Sequence, residues 1–292
     1  MELSVITPVY HGNKYLNRYM ERMSQCAKYM NEIEVQMEVV LVNDSPDVPI
    51  SYDETKVKGF DVIVVNNSEN SGIHASRVNG VNACHGRYIV FLDQDDELSK
   101  KSLRSQYETI EKDISDVVMA NGILEADGKD NLIFSNKFSQ WIASKKFAYV
   151  WLRDFIASPG QCIIRKSSIP RDWKFRILKN NGTDDYLLWL LMFENEIEMT
   201  CNYEVVYRHV DTGVNLSSDD DKMFESTKEL LKVLDECTWF DKKTLRLIKR
   251  RIYYKRVDRS NKKLFIKESI KNIDILFVNV IYRIIWRGYL VK

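Results

Sequence analysis

Short apolar runs alternate with segments of helical spacing over the first 95 residues of the chain. The apolar runs are predicted strands at Glu2–Val9, Val35–Val42, Phe60–Val65 and Tyr88–Leu92, with predicted helices at Asn13–Asn31 and Ile73–Cys84. Each run is apolar along most of its length, which is typical of strands that are covered on both faces. The alternation therefore predicts an α/β fold with a Rossmann-like, mostly parallel sheet and helices on both faces.

The pattern changes near residue 98 and again near residue 217. The middle section mixes shorter strands with helices. Its clearest helix is Thr183–Glu194, with the first residue as a candidate cap and two aspartates in the first turn. Further helices are predicted at 222–236, 241–257 and 262–287. We therefore expect a sheet domain at 1–217 and a helical extension at 218–292.

Polar residues follow each of the four predicted strands. Parallel sheets bind ligands outside the carboxyl ends of their strands, so these residues are expected to meet at one edge. They are Pro8-Val9-Tyr10, Asn43-Asp44, Asn66-Asn67 and Asp93-Gln94-Asp95-Asp96, in strand order. Each group alone is compatible with an ordinary turn. Four such loops at one edge predict a nucleotide-binding crevice.

Asp93, Asp95 and Asp96 concentrate negative charge after the fourth strand. Alternate residues of an extended chain point the same way, so the carboxylates of Asp93 and Asp95 are expected to converge. Like charges at such a distance repel one another unless a cation is present. Mg²⁺ and Mn²⁺ accept oxygen ligands, typically one or two carboxylates together with substrate phosphates. A solvated acidic turn is the alternative, and the cluster alone leaves both interpretations open.

The composition, with 45% hydrophobic and 29% charged residues, is ordinary for a globular protein. The five cysteines include no pair at CxxC spacing, so neither a disulfide framework nor a zinc site is predicted. No secretory signal or long apolar span is recognisable, and a cytoplasmic protein is expected. The charge is uneven, because residues 241–292 hold 16 Lys and Arg against 4 Asp and Glu, whereas residues 1–240 hold 27 against 38.

The basic segment 241–292 also contains the apolar stretch Ile273–Trp286. This stretch is too short and too interrupted to span a bilayer, but it suits a helix at the surface of an anionic membrane. Packing on the rest of the chain, or a contact in an oligomer, is the alternative. No nucleic acid is expected as a partner, because no binding motif accompanies the charge. We predict peripheral association with the inner face of the plasma membrane.

Four motifs follow one another at Ile6–Tyr10, Val42–Asp44, Asn70–Gly80 and Gly86–Asp96. In order and spacing they resemble the family 2 glycosyltransferases with the GT-A fold, over roughly residues 2–215. The resemblance implies a GT-A catalytic domain at 1–217 that binds a nucleotide-sugar donor, with a UDP-sugar as the first expectation.

The resemblance also implies roles for the matching residues. The expected donor-binding residues are Pro8, Val9, Tyr10, Asp44, Arg77, Asp93 and Gln94. Among them, the first loop lines the base and ribose, and Asp44 contacts the base. Arg77 approaches the diphosphate, and Asp93 contacts the ribose or the sugar. Asp95 is the expected ligand of Mn²⁺ or Mg²⁺, with Asp96 as a second contact.

Two later positions match the same family. Asp184 and Asp185 correspond to an acidic pair that opens a helix below the acceptor site. The second acid is usually the catalytic base, so Asp185 is the expected base and Asp184 the alternative. The motif Tyr207-Arg208-His209 resembles the segment that closes over the metal and diphosphate. His209 is the expected metal ligand. Arg208 is the alternative for the contact to the metal or diphosphate, because the family often has one more residue between the two.

The resulting hypothesis is a metal-dependent, inverting glycosyltransferase. It would move a sugar from the donor to a glycan or lipid-linked glycan acceptor in surface polysaccharide assembly. One alternative is a non-catalytic subunit that binds a nucleotide sugar or acts as a scaffold, but the intact Asp93, Asp95 and Asp185 argue against it. The other is a nucleotidyltransferase, and the first loop lacks the basic, glycine-rich sequence that such enzymes usually need.

Overall fold

The computed structural model describes residues 1–126, 128–210 and 219–285. Within these residues, nine strands form one sheet in the order β3-β2-β1-β4-β8-β6-β9-β5, and β7 pairs with β6. The strands are β1 Leu3–Val9, β2 Met37–Asn43, β3 Asp61–Asn66, β4 Tyr88–Phe91, β5 Glu97–Leu98, β6 Val117–Ala126, β7 Lys129–Leu132, β8 Cys162–Arg165 and β9 Met199–His209.

The helices flank this sheet and continue beyond it. They are α1 Asn13–Asn31, α2 Gly72–Ala83, α3 Ser102–Asp113, α4 Lys137–Ala143, α5 Arg171–Phe175, α6 Asp184–Glu194, α7 Asp220–Glu236, α8 Lys242–Lys255, α9 Lys262–Lys271 and α10 Ile273–Ile285. A single π-helical turn, Ala148–Leu152, lies between α4 and β8.

The first four strands form the parallel part of the sheet, as predicted. β1 pairs in parallel with β2 and β4, and β2 pairs in parallel with β3. Beyond β4 the sheet is mixed, because β8 runs antiparallel to both of its neighbours, β4 and β6. Six strands share one direction, and β5, β7 and β8 oppose it.

Both faces of the sheet are covered, as the apolar runs predict. Alternate side chains of β2 enter different cores, since successive residues of a strand point to opposite faces. Val39 and Leu41 pack with residues of α1 and α3. Val40 and Val42 pack with residues of α2, α6, α7 and α8. Both layers of helices therefore hold the carboxyl ends of the parallel strands in place.

The helices after residue 219 pack on the sheet domain along one face. Leu230 and Leu234 of α7 and Leu245 and Ile248 of α8 belong to the core that α6 also enters. Tyr282 of α10 is buried as well, with its ring against Phe155 at 5.5 Å between centroids. Within the described residues, no helix has the length and apolar character to cross a membrane. The predicted boundary at 217/218 lies outside the described residues, as does Trp286.

Two details differ from the sequence predictions. The helix predicted at 262–287 is two helices, because Asn272 departs from helical geometry with φ −117° and Arg250 donates to its side chain and to the preceding carbonyl. Thr183 does occupy the capping position of α6, but its hydroxyl bonds Ser226 (2.8 Å) instead of a backbone amide.

Candidate functional site

A cavity of about 1260 Å³ lies at the carboxyl ends of the parallel strands. Asp96, predicted as a second contact, and Arg208, predicted as the alternative to His209, do not line it, and neither does Val9. All the other predicted site residues do. These are Pro8, Tyr10, Asp44, Arg77, Asp93, Gln94, Asp95, Asp184, Asp185 and His209. The side chain of Val9 is instead buried in the core, and its carbonyl accepts a hydrogen bond from the Asp44 amide (2.8 Å). The topology thus gathers residues that are as distant in the sequence as Pro8 and His209.

Gln94, in the acidic loop Asp93–Asp96, contacts the backbone of the first loop, Pro8-Val9-Tyr10. The Tyr10 amide donates to Gln94 Oε1 (3.0 Å), and Gln94 Nε2 donates to the Tyr10 carbonyl (3.2 Å). The Tyr10 ring is left half exposed at the cavity. A side chain at Gly12 would collide with Gln94, because its Cβ would lie 1.9 Å from Oε1. Gln94 therefore positions the backbone of the first loop.

Asp44 joins the second loop to the beginning of α2. Its carboxylate accepts from the Ser71 amide (2.8 Å), the Gly72 amide (3.0 Å) and Asn67 Nδ2 (2.7 Å). A carboxylate satisfies the unpaired amides of a helix N-terminus and is favoured there by the helix dipole. Gly72 has φ +85°, a conformation that favours glycine. Asp44 is buried, so its structural role in positioning α2 is clear from these contacts.

Arg77 connects the acidic loop to α6. It projects from α2, is 3% exposed, and donates through Nη1 to Asp184 Oδ2 and through Nη2 to Asp93 Oδ1, each at 2.8 Å. A buried guanidinium needs such partners, because an unpaired charge is costly in the interior. Asp93 also accepts a longer bond from Ser158 (3.4 Å). Arg77 thereby fixes two of the predicted site carboxylates relative to each other.

The acidic loop has two carboxylates that line the cavity, Asp93 and Asp95, and one that is buried, Asp96. Asp95 lines the cavity, and burial together with the charges of Asp96 and Asp93 raises its pKa to about 6. Asp96 is buried, where it accepts from Tyr207, from His209 Nδ1 (3.0 Å) and from the Val210 amide (3.2 Å). Burial raises the pKa of Asp96, and the hydrogen bond to Asp96 raises that of His209. Asp96 is therefore an anchor for β9 rather than part of the cavity wall.

The two acids at the start of α6 have different environments. Asp184 is 2% exposed and paired with Arg77, and its carbonyl accepts from Trp173 Nε1 (2.8 Å). Asp185 is half buried at the cavity wall, where it accepts a hydrogen bond from the Tyr186 amide (2.7 Å) and no other from the described residues. Burial and the charge of Asp184 raise the pKa of Asp185 to about 7. Asp185 can therefore exchange a proton near neutral pH, whereas the carboxylate of Asp184 is engaged by Arg77.

The alternatives at the end of β9 point in different directions. His209 lines the cavity, whereas Arg208 pairs with Asp130 of β7 (2.7 Å from Nη1) and with Glu125 of the neighbouring strand β6 (3.5 Å). Successive residues of a strand face opposite sides, which explains the difference.

The sequence predictions missed a basic part of the cavity wall. Arg251 and Lys255 on α8 line the cavity, as do Arg153 and Asp154 after the π-helical turn. Arg251 lies one position before Ile252 on the buried face of α8. An arginine on the apolar face of a helix could have indicated that its charge faces a cavity, because the arginines of an amphipathic helix normally lie on the opposite, exposed face.

The described part of the chain supplies only some of the ligands that a metal ion would need at this site. Within the described residues, no group of three or more His, Cys, Asp or Glu is arranged to hold a metal ion. Asp95 and His209 nevertheless line the same cavity, and the crowding of Asp95 by two carboxylates favours a nearby cation. Such a pair fits Mg²⁺ or Mn²⁺, which take most of their ligands from phosphate oxygens and water in comparable sites.

Fold and site together define an α/β protein with a ligand crevice at the edge of a parallel sheet. Residues 4–172, more than half of the chain, match the family model of glycosyl transferase family 2. The chain therefore belongs to glycosyl transferase family 2. The matched region includes the acidic loop and Arg77 but ends before Asp184 and His209.

Curated relatives share part of this sequence. The minor teichoic acid biosynthesis protein GgaB of Bacillus subtilis is 32% identical over 145 residues, which are 47% of this chain and 15% of GgaB. The glycosyltransferase GlyA of Streptococcus pneumoniae is 26% identical over 125 residues, which are 41% of this chain and 16% of GlyA. The chain thus matches only about a sixth of the length of these two relatives.

Solved structures share the fold over most of this chain. S. aureus TarS 1–349 in complex with UDP-GlcNAc has a TM-score of 0.59 at 16% identity, over 94% of this chain and 81% of that one. The mannosyltransferase PcManGT from Pyrobaculum calidifontis, in complex with GDP-Man and Mn²⁺, has a TM-score of 0.57 at 12% identity, over 84% and 68%. The likeness confirms the predicted GT-A fold followed by C-terminal helices.

Proposed function

We propose that this chain is a metal-dependent, inverting glycosyltransferase that uses a nucleotide-sugar donor, a UDP-sugar as the first choice. One observation carries the proposal: a single cavity brings together Asp95 from the acidic loop, Arg77 from α2 and Asp185 from α6. These groups have the chemistry that a diphosphate leaving group and an acceptor hydroxyl require. Complexes of TarS with UDP-GlcNAc and of PcManGT with GDP-Man and Mn²⁺ support this choice of donor class.

The donor would lie along the edge formed by the first four strands. Pro8 and Tyr10 would line the base, with Asp44 beneath it, and Asp93 would contact the ribose or the sugar. Asp95 and His209 would hold Mn²⁺ or Mg²⁺ together with the diphosphate oxygens. When bound, such an ion neutralises the diphosphate and stabilises it as a leaving group. The hydrogen bond from His209 to Asp96 orients the imidazole ring, as carboxylates beside metal-binding histidines do.

Asp185 would act as the catalytic base. The acceptor hydroxyl attacks the anomeric carbon and passes its proton to Asp185, while the bond from that carbon to the diphosphate oxygen breaks. A base is most effective when its pKa lies near the working pH, and the pKa of Asp185 is about 7. Asp184 is less suited, because its ion pair with Arg77 occupies its carboxylate. A single displacement of this kind inverts the configuration at the anomeric carbon.

The acceptor would be a glycan or lipid-linked glycan of the cell surface. GgaB is named for teichoic acid biosynthesis, and TuaG of Bacillus subtilis, 28% identical over 111 residues, for teichuronic acid biosynthesis. The shared catalytic region supports surface polysaccharide assembly as the setting for this chain.

The helices α9 and α10 would place the protein on the inner face of the plasma membrane. One side of α10 is buried, but Ile273 and Phe277 on the other side are 65% and 63% exposed, and Ile270 of α9 is 66% exposed. Lysines such as Lys267 and Lys271 accompany this apolar surface. Exposed apolar residues beside basic ones are typical of helices that lie on anionic lipid.

A donor assay tests the catalytic proposal. The purified protein with Mn²⁺ and a panel of nucleotide sugars should slowly release nucleoside diphosphate from one donor. Asp95→Ala should abolish metal-dependent donor binding, whereas Asp185→Asn should preserve donor binding and stop transfer. A folded protein that binds donor but releases no diphosphate would favour a non-catalytic subunit, and release of pyrophosphate would favour a nucleotidyltransferase.

A further inference from the structure

The cavity has a basic wall that the donor site does not use. Arg251 and Lys255 lie one helical turn apart on α8, and both line the cavity together with Asp185. Tyr186, the residue after Asp185, contacts Arg251 directly through its hydroxyl group. The basic wall therefore adjoins the proposed catalytic base, on the side of the cavity formed by α6 and α8.

Among the residues that the structure describes, Arg251 is buried without a carboxylate partner. The side chain is 3% exposed, Nη1 donates to the Leu152 carbonyl (2.6 Å), and Nη2 donates to the Tyr186 hydroxyl. Both partners are neutral. The remaining donor, Nε, is buried and has no hydrogen-bond partner in the described residues. A buried guanidinium normally has a carboxylate or phosphate beside it, because the neutral contacts do not balance its charge.

Lys255 adds a second positive charge to the same wall. Its side chain is exposed to solvent where it lines the cavity. No carboxylate of the described residues lies within 4.0 Å of a side-chain nitrogen of Lys255 or Arg251, although Asp154 lines the same cavity. Burial and the charge of Asp185 raise the pKa of Asp154 well above its usual range, so Asp154 is a poor source of compensating charge.

We propose that Arg251 and Lys255 bind a phosphate group of the acceptor. This inference rests on the proposed function, because it takes Asp185 as the base and the adjoining wall as the acceptor side. A hydroxyl positioned at Asp185 would then belong to a molecule whose phosphate lies against α8. The acceptor would be a phosphate-bearing glycan or polyol chain, or a glycan on a lipid diphosphate, rather than a neutral sugar.

Binding of two phosphate probes by the full chain tests this proposal. The probes are a synthetic glycerol phosphate tetramer and farnesyl diphosphate. Titration calorimetry at low salt measures the affinity of each probe, and a parallel series measures the affinity of UDP in the presence of Mn²⁺. Lys255→Gln should weaken binding of one probe by roughly tenfold, the effect of losing one charge-assisted hydrogen bond. Lys243→Gln is the matched control, because Lys243 is exposed on the same helix and does not line the cavity. The probe that binds distinguishes a repeating phosphodiester from a lipid diphosphate.

The outcomes separate this inference from the proposed function. If UDP binds but neither probe does, or if the two lysine variants bind equally, the phosphate site is wrong and the donor site stands. If Lys255→Gln weakens UDP as much as the probe, the basic wall serves the donor and the acceptor assignment is wrong. If UDP fails to bind the folded wild type, the proposed function itself fails.

Discussion

Replacing Asp185 with asparagine should stabilise the protein while it stops transfer. The pKa of Asp185 is raised from the usual 3.8 to about 7 by burial and by the charge of Asp184. An acid whose pKa is raised in the folded state favours folding in its neutral form. Its penalty on stability therefore appears as the pH rises from about 4 to 7 and is complete above pH 7. Asparagine keeps the neutral shape and the oxygen that accepts from the Tyr186 amide.

The size of the effect follows from the difference in pKa. A change from 3.8 to about 7 corresponds to roughly 4 kcal/mol of free energy of unfolding. Part of this free energy comes from the interactions among the charges of Asp184, Arg77 and Asp185, and these interactions change when Asp185 is replaced by a neutral residue. We therefore expect Asp185→Asn to be more stable by about 2 kcal/mol at pH 8 and equal to wild type near pH 4.

Urea unfolding, followed by tryptophan fluorescence at pH 4.5 and pH 8, measures this difference. The neighbouring variant Asp184→Asn is the control. It should lose about 3 kcal/mol at pH 8, because the buried Arg77 loses a charged partner. This expectation is refuted if Asp185→Asn is no more stable than wild type at pH 8, or if the difference in free energy of unfolding does not grow with pH. Either result would show that burial and the charge of Asp184 do not disfavour the ionised Asp185.

Three further predictions concern the ends of β9, the sheet and the C-terminal helices. His209→Ala should weaken metal-dependent donor binding by roughly tenfold or more, and Arg208→Ala should leave it unchanged in the same calorimetric titration; equal effects would contradict the placement of the two side chains. Gly86→Ala should lower stability by about 1–3 kcal/mol, because its Cβ would lie 2.6 Å from a backbone nitrogen of β1, and an unchanged melting temperature would argue against that close packing. Phe277→Asp combined with Ile270→Asp should reduce sedimentation with phosphatidylserine vesicles without loss of helical circular dichroism; undiminished binding would show that this surface does not face lipid.

The parallel half of the sheet could be predicted because its pattern is local. Runs such as Val39–Val42 are apolar on both faces, and only strands inside a layered sheet need that composition. The mixed half is less predictable, because β8 is four residues long and takes its place between β4 and β6 through contacts distant in sequence. The break at Asn272 depends on Arg250 from another helix, which no local pattern reveals.

The acidic side of the cavity could be predicted because its carboxylates follow strands whose ends meet. The basic side could not be predicted in the same way. The charges of α8 lie in a segment rich in lysine and arginine, where most side chains are exposed, and Arg251 differs from them only in its phase relative to Leu245 and Ile248. The division of roles within Asp184 and Asp185 also depends on the fold, because Arg77 reaches Asp184 and not Asp185.

The separation of charge within the cavity has a kinetic consequence. Asp93 and Asp95 belong to the sheet edge, whereas Arg251 and Lys255 belong to α8, and both pairs line one cavity. A phosphate-bearing acceptor that enters first would meet repulsion from Asp95, which the charges of Asp96 and Asp93 already crowd, and this repulsion falls once a cation and donor occupy the sheet edge. An ordered mechanism follows, with the donor complex binding before the acceptor and with an acceptor on-rate that declines as the ionic strength increases.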